Sequence, residues 1–316
     1  MLFARGCIKS RTLSTRVLIH QSLSPKFSRR SLHTPVLIHE TLSFVRPESK
    51  LILDATFGGG GTTKAVLACK VIAVDRDLEA FARANSLAKL YPQRIVPIHG
   101  NFSEMGRLLQ PTFPQVDTVI LDIGVSSFQL DQAERGFSFK DDSLLDMRMN
   151  TSEGFTAEYV VNEFNESELT GILQNYGEER FAAKIARSIV AKRAVTSIRT
   201  TGQLAEIVAK AIGRHEAKHP ATRTFQGLRI YINDELNELK KGLEEAESLL
   251  QQGGRIIVIT FHSLEDRIVK EFLKSRQAAG SLITLTKKVV KPTREEILAN
   301  KRSRSGKLRA AEKALI

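Results

Sequence analysis

Three aspartates each end a short apolar run: Asp54 in LILD, Asp75 in VIAVD and Asp122 in TVILD. The first is soon followed by four glycines, Gly58 to Gly61, and then by TTKAVLACK. Glycines in such a turn let the backbone pass close to a bound ligand. A carboxylate at the end of the next strand can accept hydrogen bonds from two ribose hydroxyls. Asp54 and Asp75 lie 21 residues apart, near the spacing of a nucleotide-binding strand–helix–strand unit. A purely structural tight turn is the bland alternative.

The turn itself sorts the cofactors. A triphosphate loop needs Gly-Lys-Ser/Thr, which FGGGGTTK lacks. A nicotinamide-dinucleotide fold asks for a third glycine where Thr63 stands, which counts against an oxidoreductase. S-Adenosyl-L-methionine fits better: it has a ribose for Asp75, no pyrophosphate, and a cationic sulfonium that suits Asp54 and Asp122. Phe102, just past a third apolar run, is a candidate to stack on adenine or to fill the core. Asp122 alone could also be a helix cap.

These residues need a sheet to bring them together. Apolar, β-branched runs at 51–54, 71–75, 95–99 and 118–122 alternate with helical stretches, the pattern of a parallel sheet covered on both faces. In an open α/β sheet, ligands sit beyond the carboxyl ends of the strands. Residues 129–220 read as a helical insertion, with an amphipathic stripe at Leu204, Ile207, Val208, Ala211 and Ile212. Leu228, Ile232, Leu236, Leu239 and Leu243 then mark one long helix, and RIIVITF (255–261) is a fifth buried strand. Ser263 and Asp266 are the expected caps of the following helix. Ile283, Leu285 and Val289 suggest a last edge strand or hairpin, and the final stretch is too polar to bury much.

The chain has 316 residues and a net charge of +12, which suggests an anionic partner, nucleic acid first. That charge is not uniform: residues 1–33 carry +7, residues 287–316 carry +7, and the middle is slightly acidic. Residues 1–32 are Arg- and Ser-rich without acids, the composition of a mitochondrial or plastid transit peptide; a basic nucleic-acid-binding arm is the rival. No apolar run is long enough to span a bilayer, so no membrane partner is expected. Two cysteines, Cys7 and Cys69, cannot build a disulfide framework or a four-ligand zinc site. His219 and His262 lack metal-ligand spacing, so no metal is expected.

Several longer blocks occur in order: HTPVLIHET, DATFGGGGTT, VDRD, LDIGVSSFQLDQAERGFSF, LDMRMN, YGEERFAAKIARSIV, HPATRTFQGLRIYINDELNEL and GGRIIVITFHSLEDRIVK. Together they resemble the small-subunit ribosomal RNA (cytosine-N4)-methyltransferase family, from about residue 33 to the C-terminus. The resemblance implies an α/β fold: a Rossmann-like class I S-adenosylmethionine-dependent methyltransferase sheet with an inserted helical domain. The expected organisation is a transit peptide over 1–32, methyltransferase parts over 33–128 and 221–316, and a substrate-recognition insertion over 129–220. It implies N4-methylation of a cytidine in the decoding region of small-subunit rRNA. The presequence points to the organellar branch and the mitochondrial matrix.

By matching positions, the cofactor contacts implied are Gly60, Gly61, Thr62, Asp75, Phe102, Asp122 and Gln129, beside Asp54 and Gly58 from the turn. Thr62 stands where bacterial relatives often carry His. The implied partner is small-subunit rRNA or the assembling mitochondrial small subunit; a homodimer stays open. A catalytically inactive rRNA-binding assembly factor with the same fold is the alternative.

Methylation of an exocyclic amine is mainly a positioning problem. Asp122 is the candidate to orient the amine. Other amino-methyltransferases place Asp/Asn-Pro-Pro-aromatic at this strand end, where DIGVSS stands here. Cytosine C5 chemistry would need an attacking thiolate, and Cys69 lies away from the strand ends. Candidate RNA contacts are His219, Arg223 and Arg229 at the return from the insertion, and Lys301, Arg302, Arg304, Lys307 and Arg309 in the tail. For the arginines the bland reading is solvated charge.

Overall fold

Strands β1 (Leu51–Asp54), β2 (Lys70–Asp75), β3 (Ile95–His99) and β4 (Val116–Asp122) fall on the four apolar runs. In a computed structural model, which describes residues 35–213 and 219–315, they pair with one another in parallel, and β5 (Leu250–Thr260) joins them in parallel beside β4. The segment 1–32, and with it the expected transit peptide, lies outside the described residues. With β6 (Leu282–Thr284) and β7 (Lys307–Lys313), the sheet has seven strands among the described residues, in the order β3-β2-β1-β4-β5-β7-β6. The chain runs outward from β1 through β2 to β3, then crosses back to β4 on the other side of β1. That reversal opens a crevice at the carboxyl ends of β1 and β4.

Ile52, Leu53, Ile72, Val119, Ile120, Leu121 and Ile257 are all inaccessible to solvent. Both faces of the strands are covered, which explains why they read as continuous apolar runs rather than alternating ones. No helix among the described residues is long and apolar enough to cross a membrane. Between β4 and β5 the chain is helical, and these helices bury a cluster of their own that includes Leu145, Leu173, Ile185, Val208 and Leu228.

Three expectations change. The long helix is two, Thr222–Ile232 and Glu235–Leu249. The break lies at Asn233, whose side chain donates to Met147 O (2.8 Å) and Arg229 O (2.9 Å) and accepts from Met149 N–H (2.7 Å). Asp234 follows in the left-handed region at φ 47°. The helix Ser263–Ala278 is capped by His262 with Glu265, not by Ser263 and Asp266. Finally, the polar tail is not loose. Residues Lys307–Lys313 form β7, inserted antiparallel between β5 and the edge strand β6 (Leu282–Thr284). Leu308, Ala310 and Ala311 are fully buried there, and the charged residues between and around them stay at the margins. One leucine and two alanines suffice because their neighbours on β5 supply the rest of the bulk.

Leu308→Ala should therefore destabilise the fold by about 2–5 kcal/mol, measured by urea unfolding. A loss within about 0.5 kcal/mol, as for a surface substitution, would show that β7 is not part of the core.

Candidate active site

β1 ends in Asp54, which is inaccessible to solvent. Its Oδ2 accepts a hydrogen bond from Thr63 Oγ1 at 2.6 Å. Burial pushes its pKa up to about 6, against these hydrogen bonds. Next comes the glycine turn. Phe57 donates its N–H to Val74 O (3.0 Å) and is buried beneath the turn. Gly60 has φ 72°, and an added Cβ would stand 2.6 Å from the Phe57 ring. Only glycine can hold that backbone against that ring. Gly61 and Thr62 then open the short helix Gly61–Ala65, both buried.

β2 ends in Asp75. Its Oδ2 accepts from Gly58 N–H (2.8 Å) and its Oδ1 from Asp77 N–H (2.9 Å). The carboxylate thus ties the glycine turn to the second strand, and each oxygen keeps a lone pair for a ribose hydroxyl. Burial raises its pKa above the ordinary value.

Asp77 is 3% exposed and caps the helix Leu78–Leu90 through Glu79 N–H. It also accepts from Gln129 Nε2 at 2.7 Å and lies 3.0 Å from the Arg135 guanidinium. Burial works against its charge, but these partners hold its pKa below the usual carboxylate range. Arg135, itself 6% exposed, donates further to Arg148 O and Met149 O. Thr63 and Asp77 were not among the site residues expected. Their signal was thin: a hydroxyl nine residues from its partner, and the second acid of VDRD just before a helix.

Gln129 has both polar ends engaged. Its Oε1 accepts from Ser126 N–H in a capping box while its Nε2 binds Asp77. Phe102 stands just past β3, and its ring covers Gly242 of the helix Glu235–Leu249, so closely that an added Cβ would lie 2.6 Å from Cε2. One face of that ring is therefore packing.

Asp122 ends β4. Its backbone N–H donates to Thr56 Oγ1 at 2.7 Å, while its Oδ1 is buried without a hydrogen-bond partner. Burial, then the neighbouring charges of Asp54 and Glu265, push its pKa up to about 8. An orphaned carboxylate oxygen beside a second buried carboxylate is a site waiting for a cation. Together with the glycine cradle and Asp75, these residues fit a sulfonium nucleoside.

Behind Asp122 lies a compact ion-pair cluster. Arg229 binds both oxygens of Glu235 at 2.8 Å. Glu265 is fully buried; burial opposes its charge, but His262 and Arg229 keep its pKa low. His262 Nε2 lies 2.9 Å from Glu265 Oε1. Glu235, His262 and Glu265 bring metal-ligand atom types within 4.8 Å of one another. The Arg229 guanidinium already neutralises Glu235, so the group reads as an ion-pair cluster.

A cleft of about 990 Å³ opens beside this cluster. It brings together four of the expected RNA contacts, His219, Arg223, Arg304 and Lys307, with Lys291, Phe261 and His262. The other four stand elsewhere. Arg229 is committed to Glu235 with its side chain only 16% exposed, which corrects the reading of it as a nucleic-acid contact. Arg309 likewise binds Asp266 at 2.8 Å with its side chain 15% exposed. A buried, paired guanidinium would have to leave its carboxylate unpaired to reach a phosphate. Arg302 pairs with Asp131 at the surface, and Lys301 is exposed. Phe225 is core, 4% exposed, and packs edge-on to Phe139, whose ring also meets that of His219 at 4.5 Å.

The model of the MraW methylase family matches residues 30–314. A ribosomal RNA small subunit methyltransferase H from Parvibaculum lavamentivorans is 47% identical over 86% of this chain and 86% of its own. One from Paramagnetospirillum magneticum is 48% identical over 82% and 88%. Among solved structures, an rRNA methylase from Streptococcus thermophilus aligns at 11% identity and TM-score 0.41, covering 92% of this chain and 99% of that one.

The raised carboxylates set a pH dependence. In the unfolded chain both acids ionise near the ordinary aspartate value of 3.8. The folded form holds its protons up to about pH 6 at Asp54 and about pH 8 at Asp122. Their contribution to stability is full below pH 4 and is lost as pH rises through these values. Asp122→Asn, which cannot ionise, should remove the Asp122 share of that loss, which runs from about pH 4 to about pH 8, and raise the melting temperature of the ligand-free protein at pH 8.5. Thermal unfolding against pH checks this; an unchanged profile in the variant would refute the raised Asp122 pKa.

Proposed function

The chain belongs to the MraW methylase family, and from that premise we propose that it transfers a methyl group from S-adenosyl-L-methionine to N4 of a cytidine in the decoding region of small-subunit rRNA, in the mitochondrial matrix. The observation that carries the chemistry is the buried, unpartnered Asp122 oxygen at the end of β4, the neighbour of the strand that leads into the glycine cradle.

Bound S-adenosyl-L-methionine supplies an electrophilic methyl group on a cationic sulfur. The chain does the rest by placement. Gly60, Gly61 and Thr62 form the cradle, and Asp75 offers its lone pairs to the ribose. Asp54 and Asp122 face the positive charge, which favours the ionised form of Asp122. An ionised Asp122 can accept a hydrogen bond from one amine N–H and so hold the nitrogen lone pair toward the methyl group. With the methyl group transferred, the S–C bond would be broken to leave a neutral thioether and the N–C bond formed, and the carboxylate would take up the amine proton. Such a role contributes about 10²–10⁴-fold. The target base must leave its stack to arrive there. Arg223, Arg304 and Lys307 in the cleft suit the phosphates that flank it.

Small subunits from cells lacking the protein, incubated with enzyme and labelled cofactor and digested to nucleosides, should carry label in N4-methylcytidine. Asp122→Asn should lower kcat at least about 100-fold. Label only in another nucleoside would refute the assignment.

The mitochondrial setting is supported by the acid-free, Arg-rich segment before residue 33. Protein recovered from mitochondria should begin near His33. An intact N-terminus there, or a wholly cytosolic protein, would refute it.

A further inference from the structure

Amine-methylating sites need a flat surface for the target base as well as an acceptor for its amine. In the Asp/Asn-Pro-Pro-aromatic arrangement both come from one loop. Here the loop after Asp122 carries no aromatic before Phe128. Phe128 lies on the helix Ser127–Asp131, and the Arg83 guanidinium sits over its ring at 4.4 Å. The surface must come from elsewhere.

β5 supplies one. Asp122 pairs with Ile259 in the parallel register, and Ile123 N–H donates to Ile259 O at 2.9 Å. Two residues on from each partner, Gly124 and Phe261 therefore face each other. Gly124 has φ 110°, and an added Cβ would stand 3.5 Å from Phe261 Cδ2. The ring lies directly across this bare backbone from the loop that follows the acceptor carboxylate.

Phe261 is also well held. Its N–H donates to Glu265 Oε2 at 2.8 Å, and part of its ring packs on the cluster containing Ile259 and Leu308. Half-buried, the residue also lines the cleft with Arg304 and Lys307. A ring fixed on one side and open on the other costs little to order when a base arrives. The cations beside it suit the backbone phosphates of the same nucleotide.

We propose that Phe261 is the platform on which the target pyrimidine stacks while Asp122 holds its amine. This rests on the methyltransferase reading above. It assigns to the end of β5 a role that the other arrangement gives to the β4 loop. It also gives a function to the buried Glu265–His262 cap, which fixes the backbone at Phe261.

The test is steady-state methylation of unmodified small subunits by wild type, Phe261→Leu and Phe261→Tyr, with cofactor affinity measured by calorimetry for each. Leucine keeps the apolar packing and removes the aromatic face; tyrosine restores the face. The leucine variant should lose about 10-fold or more in kcat/KM for the subunit. The tyrosine variant should stay within about 3-fold of wild type, and cofactor affinity should be unchanged in both. Wild-type kcat/KM in the leucine variant, or a parallel loss of cofactor affinity, would overturn the proposal. Wild-type enzyme that methylates no cytidine would instead bring down the reading beneath it.

Discussion

Asp54 and Asp122 stand at the ends of neighbouring strands with too little solvation for both charges. Thr63 and Thr56 relieve Asp54, whereas Asp122 keeps one oxygen without a partner. Burying a carboxylate without a partner is unfavourable unless a cation or a proton comes to it. The surrounding fold preserves that condition. β1 and β4 are central strands, so nothing but the crevice at their ends can bring a ligand to them. The glycine turn, built over Phe57, leaves room for a nucleoside there. A methyl donor that arrives as a cation and departs neutral is matched to such a pair.

Around this pair the polar side chains are engaged in layers. Asp75 fastens the glycine turn, and Asp77 fastens Gln129 and Arg135, which in turn hold the loop near Met149. Glu265 and His262 fasten the end of β5. Asp54, Asp75, Asp77 and Glu265 each accept at least one hydrogen bond that holds the carboxylate in place. The positive charge follows the same division: Arg135, Arg229 and Arg309 are held in ion pairs inside the molecule, while Arg223 and Arg304 face the cleft, joined by Lys307, whose Nζ lies 3.5 Å from Asp266. RNA affinity should rest on that second group.

The parallel strands and the glycine turn were legible because they depend on local apolar runs and on one backbone conformation. Asp54, Asp75 and Asp122 were legible for the same reason, since each closes such a run. What could not be read was long-range. Nothing local in KLRAAEK announces a strand, because its burial is set by β5 and β6 on either side. Arg229 looks like any helical arginine until Glu235, six residues on and beyond a break, turns back toward it. The break itself needs Asn233 to find the backbone at Met147 and Met149. Arg135 and Asp77 meet across 58 residues of chain, and Phe261 meets Gly124 across 137. Side chains whose roles are set by such meetings carry no periodic signal.

The central claim is that Asp122 is protonated without its cationic ligand and ionised with it. Calorimetric titration of S-adenosyl-L-methionine into the protein at pH 7, repeated in buffers of different ionisation enthalpy, measures the protons released on binding. With a pKa of about 8 in the free protein, Asp122 should release close to one proton per ligand bound, and Asp122→Asn should release almost none. Equal heats in all buffers for the wild-type protein would contradict the account.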